Sequence, residues 1–225
     1  MFKAELDDTK LFKDSLQAIS NLISEGKFEL NDDGIRLVAA DPAMVALVEF
    51  MLEKEAFNSY DIDETKEIGI NLENLYSILR RADSSDTLTL ELKDDSKLVV
   101  RIENGSTRTF SLPLLNIDQD DVSVDDLDFT VEADFKSATL SQGINDAAVV
   151  SDSVTINADS EAVVINAEGD NTDAEFRIEE GSDGMMELDA DEAVKSMFSL
   201  DYLKKIMKAE KLSDTVRVRM GDDFP

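Results

Sequence analysis

Ile70-Asn71-Leu72-Glu73-Asn74-Leu75 has a second version 128 residues later, Phe198-Ser199-Leu200-Asp201-Tyr202-Leu203. The same shift, without a gap, aligns Asp86-Thr87-Leu88-Thr89-Leu90 with Asp214-Thr215-Val216-Arg217-Val218. In both copies, apolar residues at helical spacing are followed by the alternation of apolar and polar residues that is typical of a strand. A repeat at a fixed shift indicates a duplicated structural unit. The chain is therefore predicted to fold as two similar domains.

The first copy predicts two helices and two sets of strands. Residues 9–23 place apolar side chains at helical spacing after a cap at Asp7 or Asp8, and residues 71–81 show the same spacing. Short apolar or alternating stretches predict antiparallel strands at residues 28–30, 35–39, 45–52, 88–92, 98–102 and about 107–114. The predicted class is α+β, with two strand-helix-strand-strand-strand units in each domain and the helices on one face of antiparallel sheets.

An Asp-rich stretch separates the two copies. Residues 116–128 contain six Asp, and we interpret them as a connector between an N-terminal domain, residues 1–115, and a C-terminal domain, residues 129–225. The second copy reaches the turn at residues 221–225, where the first copy continues into further strands. We therefore expect the second domain to lack about two strands, which would leave a sheet edge unpaired.

The chain is large enough for a core and carries a large excess of acid. Its 225 residues are 42% hydrophobic, and it has 51 acidic and 22 basic residues, for a formal net charge of -29. The acids are spread through apolar segments rather than concentrated in one disordered tail. A folded acidic surface of this kind repels itself at low salt and is typical of halophilic proteins. We therefore expect the unfolding midpoint to rise with KCl concentration.

The composition excludes most enzyme classes. The chain has no Cys and no His, which excludes disulfides, thiolate metal sites and imidazole catalysis. No phosphate-binding loop, dinucleotide-binding glycine turn or nucleophile elbow occurs in the sequence. The N-terminus lacks a signal-peptide pattern, and no apolar run reaches the roughly 18 residues of a membrane span. We expect a soluble, cytoplasmic protein with no membrane partner, no cofactor and no catalytic residues.

The connector begins like a calcium-binding loop. Asp118, Asp120 and Asp121 begin like such a loop, but Val122 and Ser123 stand where a further ligand and the turn Gly are required. A solvated acidic loop explains the same residues in a chain this rich in Asp, so we predict no metal site. A metal-dependent hydrolase that holds Mg²⁺ on connector carboxylates is an alternative function, but the sequence contains no recognisable acid/base pair for it.

Basic residues are concentrated on the predicted helices. The four helices carry five acidic residues and nine basic ones, which are Lys10, Lys13, Arg80, Arg81, Lys136, Lys204, Lys205, Lys208 and Lys211. If the helices share one surface, that surface would attract phosphates without reading bases, while the rest of the chain would repel them. The alternative is that Lys and Arg, which are good helix formers, simply occupy solvated helix faces.

Six segments together resemble one protein family. In order and spacing they are similar to proliferating cell nuclear antigen, the archaeal and eukaryotic DNA sliding clamp, and the segments are Met1–Ala4, Asp41–Val48, Phe57–Tyr60, Ile70–Ala82, Asp146–Ser151 and Phe198–Thr215. The resemblance covers the whole chain, and the acidic composition resembles that of a salt-loving archaeal member. It implies a DNA clamp fold and a non-catalytic processivity factor.

The resemblance also implies a ring. In that family three two-domain subunits close around duplex DNA, with the helices lining the hole. The nine basic residues would then face DNA in weak, non-specific contacts, and confinement by the ring would keep the protein on the duplex. Ser20 and Ser77 are neutral where other members are basic, so the channel would be less positive than usual. A subunit of a heterotrimeric or checkpoint-type clamp is the alternative to a homotrimer.

A pocket for short client peptides is implied on the outer surface beside the connector. An aromatic anchor of the client would enter it, and its residues would be Ala40, Met44, Val45, Leu47, Val122 and Val124. Alternatively, the last two residues only attach the connector to the sheet. The implied clients are DNA polymerase, flap endonuclease and DNA ligase, and a clamp loader ATPase would open the ring.

Ring closure in the family is strand against strand. The resemblance implies that residues 107–112 meet residues 173–180 of a neighbour, with contacts from Arg108, Phe110, Glu175, Phe176, Arg177 and Glu179. Both arginines would face Glu175, Glu179 and Glu180 as ion pairs. Because high salt screens exposed ion pairs, we expect closure to depend on apolar packing and backbone pairing more than on charge.

Overall fold

The computed structural model describes residues 1–118 and 128–221. The chain divides into two compact units, Met1–Val122 and Ser123–Pro225, which we call unit 1 and unit 2. Most of the predicted connector lies outside the described residues.

Unit 1 consists of two antiparallel sheets and two helices. In chain order the elements are β1 (Phe2–Leu6), α1 (Thr9–Ser20), β2 (Glu25–Asn31), β3 (Gly34–Ala40), β4 (Leu47–Glu53), β5 (Ser59–Ile62), β6 (Lys66–Asn71), α2 (Leu72–Leu79), β7 (Thr87–Lys93), β8 (Lys97–Glu103) and β9 (Thr107–Pro113). A short 3-10 turn separates β4 from β5. One sheet has the strand order β5-β1-β7-β8-β9 and the other has the order β4-β3-β2-β6.

Alternation along the strands creates the core of unit 1. In β1, Phe2, Ala4 and Leu6 are buried, whereas Lys3 and Glu5 lie on the opposite face. Apolar side chains from both sheets and both helices form one continuous cluster, and the removal of their apolar surface from water is the main favourable term in folding. The two helices pack beside each other on this cluster.

Polar side chains fix the helix starts and join the two sheets of unit 1. The Asp8 carboxylate accepts a hydrogen bond from the Lys10 amide at 3.1 Å, which confirms the predicted cap, and the Asn71 side chain accepts one from the Asn74 amide at 2.9 Å. The Tyr60 hydroxyl on β5 donates to a carbonyl oxygen at the start of β3 over 2.6 Å. Burial raises the pKa of Tyr60 to about 12.

Unit 2 repeats this architecture. Its elements are β10 (Val131–Lys136), α3 (Ser137–Ala147), β11 (Ser153–Ala158), β12 (Ala162–Glu168), β13 (Asp173–Glu179), β14 (Met185–Ala190), β15 (Val194–Ser199), α4 (Leu200–Ile206) and β16 (Thr215–Met220). A 3-10 segment, Met207–Leu212, follows α4. The sheets have the strand orders β14-β10-β16 and β13-β12-β11-β15, and α3 packs on strands of both.

The structure confirms the predicted duplication and the α+β class. The order β1-α1-β2-β3 recurs as β10-α3-β11-β12, and β6-α2-β7 recurs as β15-α4-β16. Within the described residues, the sheet that contains β16 has three strands, whereas its counterpart in unit 1 has five. None of the helices in residues 1–118 and 128–221 is long and apolar enough to cross a bilayer.

The helices are shorter than the apolar pattern predicted. α1 ends at Ser20 and α2 ends at Leu79, although Ile23 and Ala82, beyond those ends, are still buried. Because the chain keeps apolar side chains in the core after the last helical turn, spacing alone did not mark the helix ends. Five predicted helix-borne cations therefore lie outside the α-helices: Arg80 and Arg81 after α2, Lys136 at the end of β10, and Lys208 and Lys211 in the 3-10 segment.

Two strand predictions also need correction. β4 begins at Leu47, so Val45 lies in the preceding loop rather than in the strand predicted over residues 45–52. The short strands β5 and β14 were not predicted at all. Both are at the edge of a sheet, and polar and apolar residues alternate over only four positions in each, 59–62 and 187–190. Four residues is the shortest alternation that indicates a strand.

Candidate functional site

The loop between β3 and β4 is organised around one buried carboxylate. Asp41 is 5% exposed, and its side chain accepts hydrogen bonds from the amides of Ala43 at 3.1 Å, Val45 at 2.8 Å and Ala46 at 2.8 Å. Its backbone closes the loop, since the Asp41 amide donates to the Ala46 carbonyl and the Asp41 carbonyl accepts from the Met44 amide. The carboxylate therefore fixes the path of residues 41–46.

This fixed loop exposes apolar side chains. Met44 has a φ of 57°, in the left-handed region that residues other than Gly seldom adopt. Its side chain is 70% exposed and that of Val45 is 57% exposed, while Ala40 and Leu47, at the flanking strand ends, are half-buried. The loop thus presents an apolar tip on a half-buried apolar base.

Several cations gather at the C-terminal end of α2. The Lys13 ammonium on α1 donates to the Ala82 carbonyl at 3.1 Å, and the Arg108 guanidinium on β9 donates to the Arg81 carbonyl at 2.9 Å. Positive groups at a helix C-terminus satisfy its last carbonyls and oppose its dipole. The Arg80 and Arg81 side chains are exposed, and within the described residues neither forms an ion pair. Lys10, by contrast, pairs with Asp14 at 3.1 Å.

In unit 2 the exposed lysines lie on successive turns. Lys204 at the end of α4 and Lys208 and Lys211 in the 3-10 segment are exposed, and their spacing of four and then three residues places them on one side. Lys205 pairs with Asp201 at 2.7 Å. Lys136, at the end of β10, is exposed. The segment from Leu200 to Leu212 thus has four lysines and two acidic residues, Asp201 and Glu210, which is a local excess of positive charge on an acidic chain.

Strand β9 forms an edge of its sheet and places two predicted interface residues on one face. Arg108, Phe110 and Leu112 are turned inward, and Phe110 packs against the core of unit 1. Arg108 forms an ion pair with Asp86, a carboxylate that is 2% exposed. Hydrogen bonds to that carboxylate, first from the Asp83 amide and then from Asn104 and Arg108, hold the pKa of Asp86 below its ordinary value.

Strand β13 forms an edge of the sheet β13-β12-β11-β15 in unit 2. Phe176 is half-buried under α3, where Gly143 leaves room for its ring, whereas Glu175, Arg177 and Glu179 point to the opposite, exposed face. Arg177 and Glu179 are 3.7 Å apart on that face. A shallow pocket of about 570 Å³ opens beside the Phe176 ring, and its lining includes Lys136, Thr139, Ile178 and Gly184.

Both halves of the chain match one family. The family model described as proliferating cell nuclear antigen, N-terminal domain, matches residues 1–123, and the model of the C-terminal domain of the same antigen matches residues 123–225. The chain belongs to the proliferating cell nuclear antigen family.

Individual members of the proliferating cell nuclear antigen family are similar over nearly the whole chain. DNA polymerase sliding clamp 1 of Thermococcus kodakarensis is 32% identical over 224 residues, which cover 100% of this chain and 90% of that protein. The DNA polymerase sliding clamp of Pyrococcus horikoshii is 29% identical over the same shares. A crystal structure of PCNA from Thermococcus kodakaraensis matches with a TM-score of 0.92 and 26% identity, and the match covers 99% of this chain and 91% of that one.

The structure brings only some of the sequence-predicted residues of this PCNA-family chain together. Ala40, Met44, Val45 and Leu47 share one loop and its strand ends. The other two predicted client residues, at positions 122 and 124, lie outside the described residues, as do positions 120, 121 and 123 of the calcium-like stretch. In residues 1–118 and 128–221, no group of three or more acidic side chains is arranged to hold a metal ion.

Sequence reasoning missed two carboxylates that organise these surfaces. Asp41 was included in the family resemblance but not assigned a role, although an Asp followed by Pro at the end of a strand is a typical turn signal. Asp86 was recognised only as part of the internal repeat. Its partner Arg108 is 22 residues away in sequence, and no local pattern indicates that contact.

Proposed function

We propose that this chain is a non-catalytic DNA sliding clamp subunit, a processivity factor that encircles duplex DNA and tethers DNA polymerase and other replication and repair enzymes to it. The observation that carries the proposal is the match of both halves of the chain to the family, together with relatives that are named DNA polymerase sliding clamps. The proposed place of action is the cytoplasm.

The proposed assembly is a homotrimer in which β9 of one subunit pairs with β13 of the next. Both strands are edges of their sheets within the described residues, so their outer backbone groups are available for pairing. Phe110 and Phe176 lie on the inward faces of these strands, and the pocket beside Phe176 is large enough for a second aromatic ring. We therefore assign the apolar contact to this pair.

We assign charge a small part in the proposed subunit contact, which agrees with the expectation from the sequence. Arg108 is already paired with Asp86 inside its own unit. Alternation places Arg108 on the inward face of β9, whereas Glu175, Arg177 and Glu179 are on the exposed face of β13. If β9 and β13 pair so that Phe110 and Phe176 lie on the same face of the joined sheet, Arg108 lies on that face as well. The three charged residues of β13 then lie on the opposite face, where Arg108 cannot reach them.

The proposed DNA-facing residues are the cations at the helix ends. Arg80, Arg81, Lys136, Lys204, Lys208 and Lys211 have exposed side chains that phosphates could contact without base reading. Lys10, Lys13 and Lys205 each have a partner in the chain and would contribute more weakly. Because such contacts weaken steeply with salt, topological confinement must supply most of the retention on DNA.

The proposed client site is the apolar loop between β3 and β4 together with the connector valines. A client would be a short peptide with an aromatic anchor for the tip formed by Met44 and Val45, carried by a polymerase, flap endonuclease, ligase or clamp loader ATPase. The net charge of -29 favours basic residues beside that anchor, although salt screens this attraction.

The oligomeric state tests the ring and its contact together. Light scattering on the purified chain in about 2 to 3 M KCl, the regime suggested by the acidic surface, should give the mass of three chains. Phe110→Asp should reduce it to one chain because it introduces a charge into the apolar contact, and the exposed-face control Thr109→Asp should change it less. A wild-type monomer, or a Phe110→Asp trimer, would contradict the proposed contact. A trimer formed by this chain alone also excludes an obligate heterotrimer.

A further inference from the structure

We propose that Asp41 is a positioning residue for client binding: its buried carboxylate holds residues 41–46 in the conformation that presents Met44 and Val45 to a peptide. The inference rests on the proposed client site at the same loop. Asp41 itself would touch no client, since it is 5% exposed, and would act through the backbone of the loop.

The loop's amides are satisfied from within. Pro42 has no N–H, and the amides of Ala43, Val45 and Ala46 donate to the Asp41 carboxylate. The two remaining amides of the loop donate to loop carbonyls. A carboxylate is the acceptor that suits three converging N–H groups, since hydrogen bonds to a charged acceptor are about twice as strong as neutral ones.

The conformation needs such an acceptor because it is otherwise unfavourable. Met44 lies in the left-handed region, where its Cβ crowds the backbone, and its large side chain remains 70% exposed. Neither the backbone of Met44 nor burial of its side chain favours this state. The carboxylate stabilises this state together with the two backbone hydrogen bonds that close the loop. Because the carboxylate is buried, it is protected from the screening that weakens exposed charges at high salt.

The chain contains its own comparison in the corresponding turn of unit 2. Between β12 and β13 the turn has four residues, Gly169–Thr172, rather than six, and it is closed by a hydrogen bond from the Gly169 amide to the Thr172 carbonyl. Asp170, Asn171 and Thr172 are exposed. The duplicated fold therefore does not require a loop with an apolar tip that is capped by a carboxylate. Of the two equivalent positions in the described residues, only the loop between β3 and β4 has this arrangement.

The expected consequence is a change in affinity. If a variant loop adopts the capped conformation only a fraction of the time, its apparent affinity falls by that fraction. A population of a tenth or less therefore weakens binding about tenfold or more. The loss should appear without any change in the residues that touch the peptide.

Two substitutions of Asp41 should weaken peptide binding to different degrees, because they remove different numbers of hydrogen bonds to the loop. Asp41→Asn keeps the size of the side chain, but its amide group would meet the Ala43 N–H in place of the second carboxylate oxygen, so one of the three hydrogen bonds is lost. Asp41→Ala removes all three. We expect the dissociation constant of a fluorescent, lysine-flanked peptide with one aromatic anchor to rise several-fold for Asp41→Asn and about tenfold or more for Asp41→Ala.

A matched control is available in unit 2. The Asp159 carboxylate accepts hydrogen bonds from the amides of Glu161 at 2.8 Å and Ala162 at 3.0 Å in the turn between β11 and β12. Asp159→Ala removes both of these hydrogen bonds from a turn without an apolar tip, as Asp41→Ala does for the loop between β3 and β4. This variant should bind the peptide as tightly as the wild type, whereas an equal loss of affinity would mean that weakened turns in general reduce binding and would overturn the inference.

Hydrogen exchange separates positioning from general destabilisation. In Asp41→Asn, amide exchange should quicken at residues 43–46 and slow again when the peptide binds, with the trimer mass and exchange elsewhere unchanged. Wild-type affinity in both Asp41 variants, or unaltered exchange at residues 43–46, would overturn the inference. Met44→Asp tests the docking function itself: it should abolish binding, and if it does while the Asp41 variants bind normally, the client site stands and the role of Asp41 fails.

Discussion

At the residue scale, the pair of Asp86 and Arg108 joins segments that are distant in sequence. The carboxylate fixes the turn after α2 through the Asp83 amide, and the guanidinium extends the connection to edge strand β9 and to the Arg81 carbonyl. The Asp86 carboxylate is 2% exposed and the Arg108 side chain is 39% exposed. The pair is therefore partly buried, and its loss should destabilise the chain more than loss of a fully exposed pair. The turn that carries Arg80 and Arg81 is thus fixed to the strand proposed to close the ring.

Asp86→Asn should therefore lower the urea midpoint of unfolding in a pH-dependent way. The pKa of Asp86 is lower in the folded chain than its ordinary value, so its contribution is complete above about pH 4 and is lost as the pH falls through the lowered folded pKa. The difference between wild type and variant should be present at about pH 7 and shrink toward about pH 2. A difference that stays constant over this range would contradict the assignment. Glu64→Gln, in an exposed pair with Lys66, should change the midpoint little.

At the element scale, one glycine lets the start of the connector lie against β6. The Leu115 amide donates to the Gly69 carbonyl at 2.8 Å, and a Cβ on Gly69 would lie 2.2 Å from the Leu115 carbonyl oxygen and 2.9 Å from Ile117. This contact attaches the chain to unit 1 just before the connector residues that we assign to the client site.

Gly69→Ala should break that attachment. Its Cβ would force Leu115 away from β6, at a cost of about 1–3 kcal/mol in the free energy of unfolding, and amide exchange at Leu115 should quicken. Ser77→Ala, at an exposed position of α2, should change neither quantity. An unchanged Leu115 amide in Gly69→Ala would show that the backbone contact does not hold the start of the connector.

Sequence patterns predicted the elements that show a regular spacing of apolar residues, and they missed the features that depend on contacts between residues distant in sequence. The alternation at Leu88, Leu90 and Leu92 predicted the strand β7, and the repeat predicted the second unit. Both signals are patterns of residues that are close together along the chain, so they can be recognised without knowledge of the fold. The left-handed Met44 could not be predicted, since nothing in Met favours that conformation and the cause is the Asp41 carboxylate three residues earlier. The pairing of Arg108 with Asp86 was inaccessible for the same reason.

At the scale of the whole molecule, a chain of net charge -29 is proposed to stay on a polyanion. The exposed cations at the helix ends are few, and phosphate contacts weaken by orders of magnitude as salt rises. Affinity alone is therefore a poor explanation of retention in the salt that the acidic surface suggests. A closed ring resolves the conflict because it must slide off an end, or open, to leave the duplex.

The most direct measurement is retention on linear duplex DNA with both ends biotinylated. The trimer is mixed with the DNA, streptavidin is added to block the ends, and the DNA is separated by gel filtration in high salt. If the protein encircles DNA, the wild type should stay with DNA that is blocked at both ends and should be lost from DNA that is blocked at one end only. The Phe110→Asp variant should be lost from both DNA substrates. Equal retention on the two substrates, or loss from both by the wild-type trimer, would contradict the claim that this protein holds DNA by encircling it.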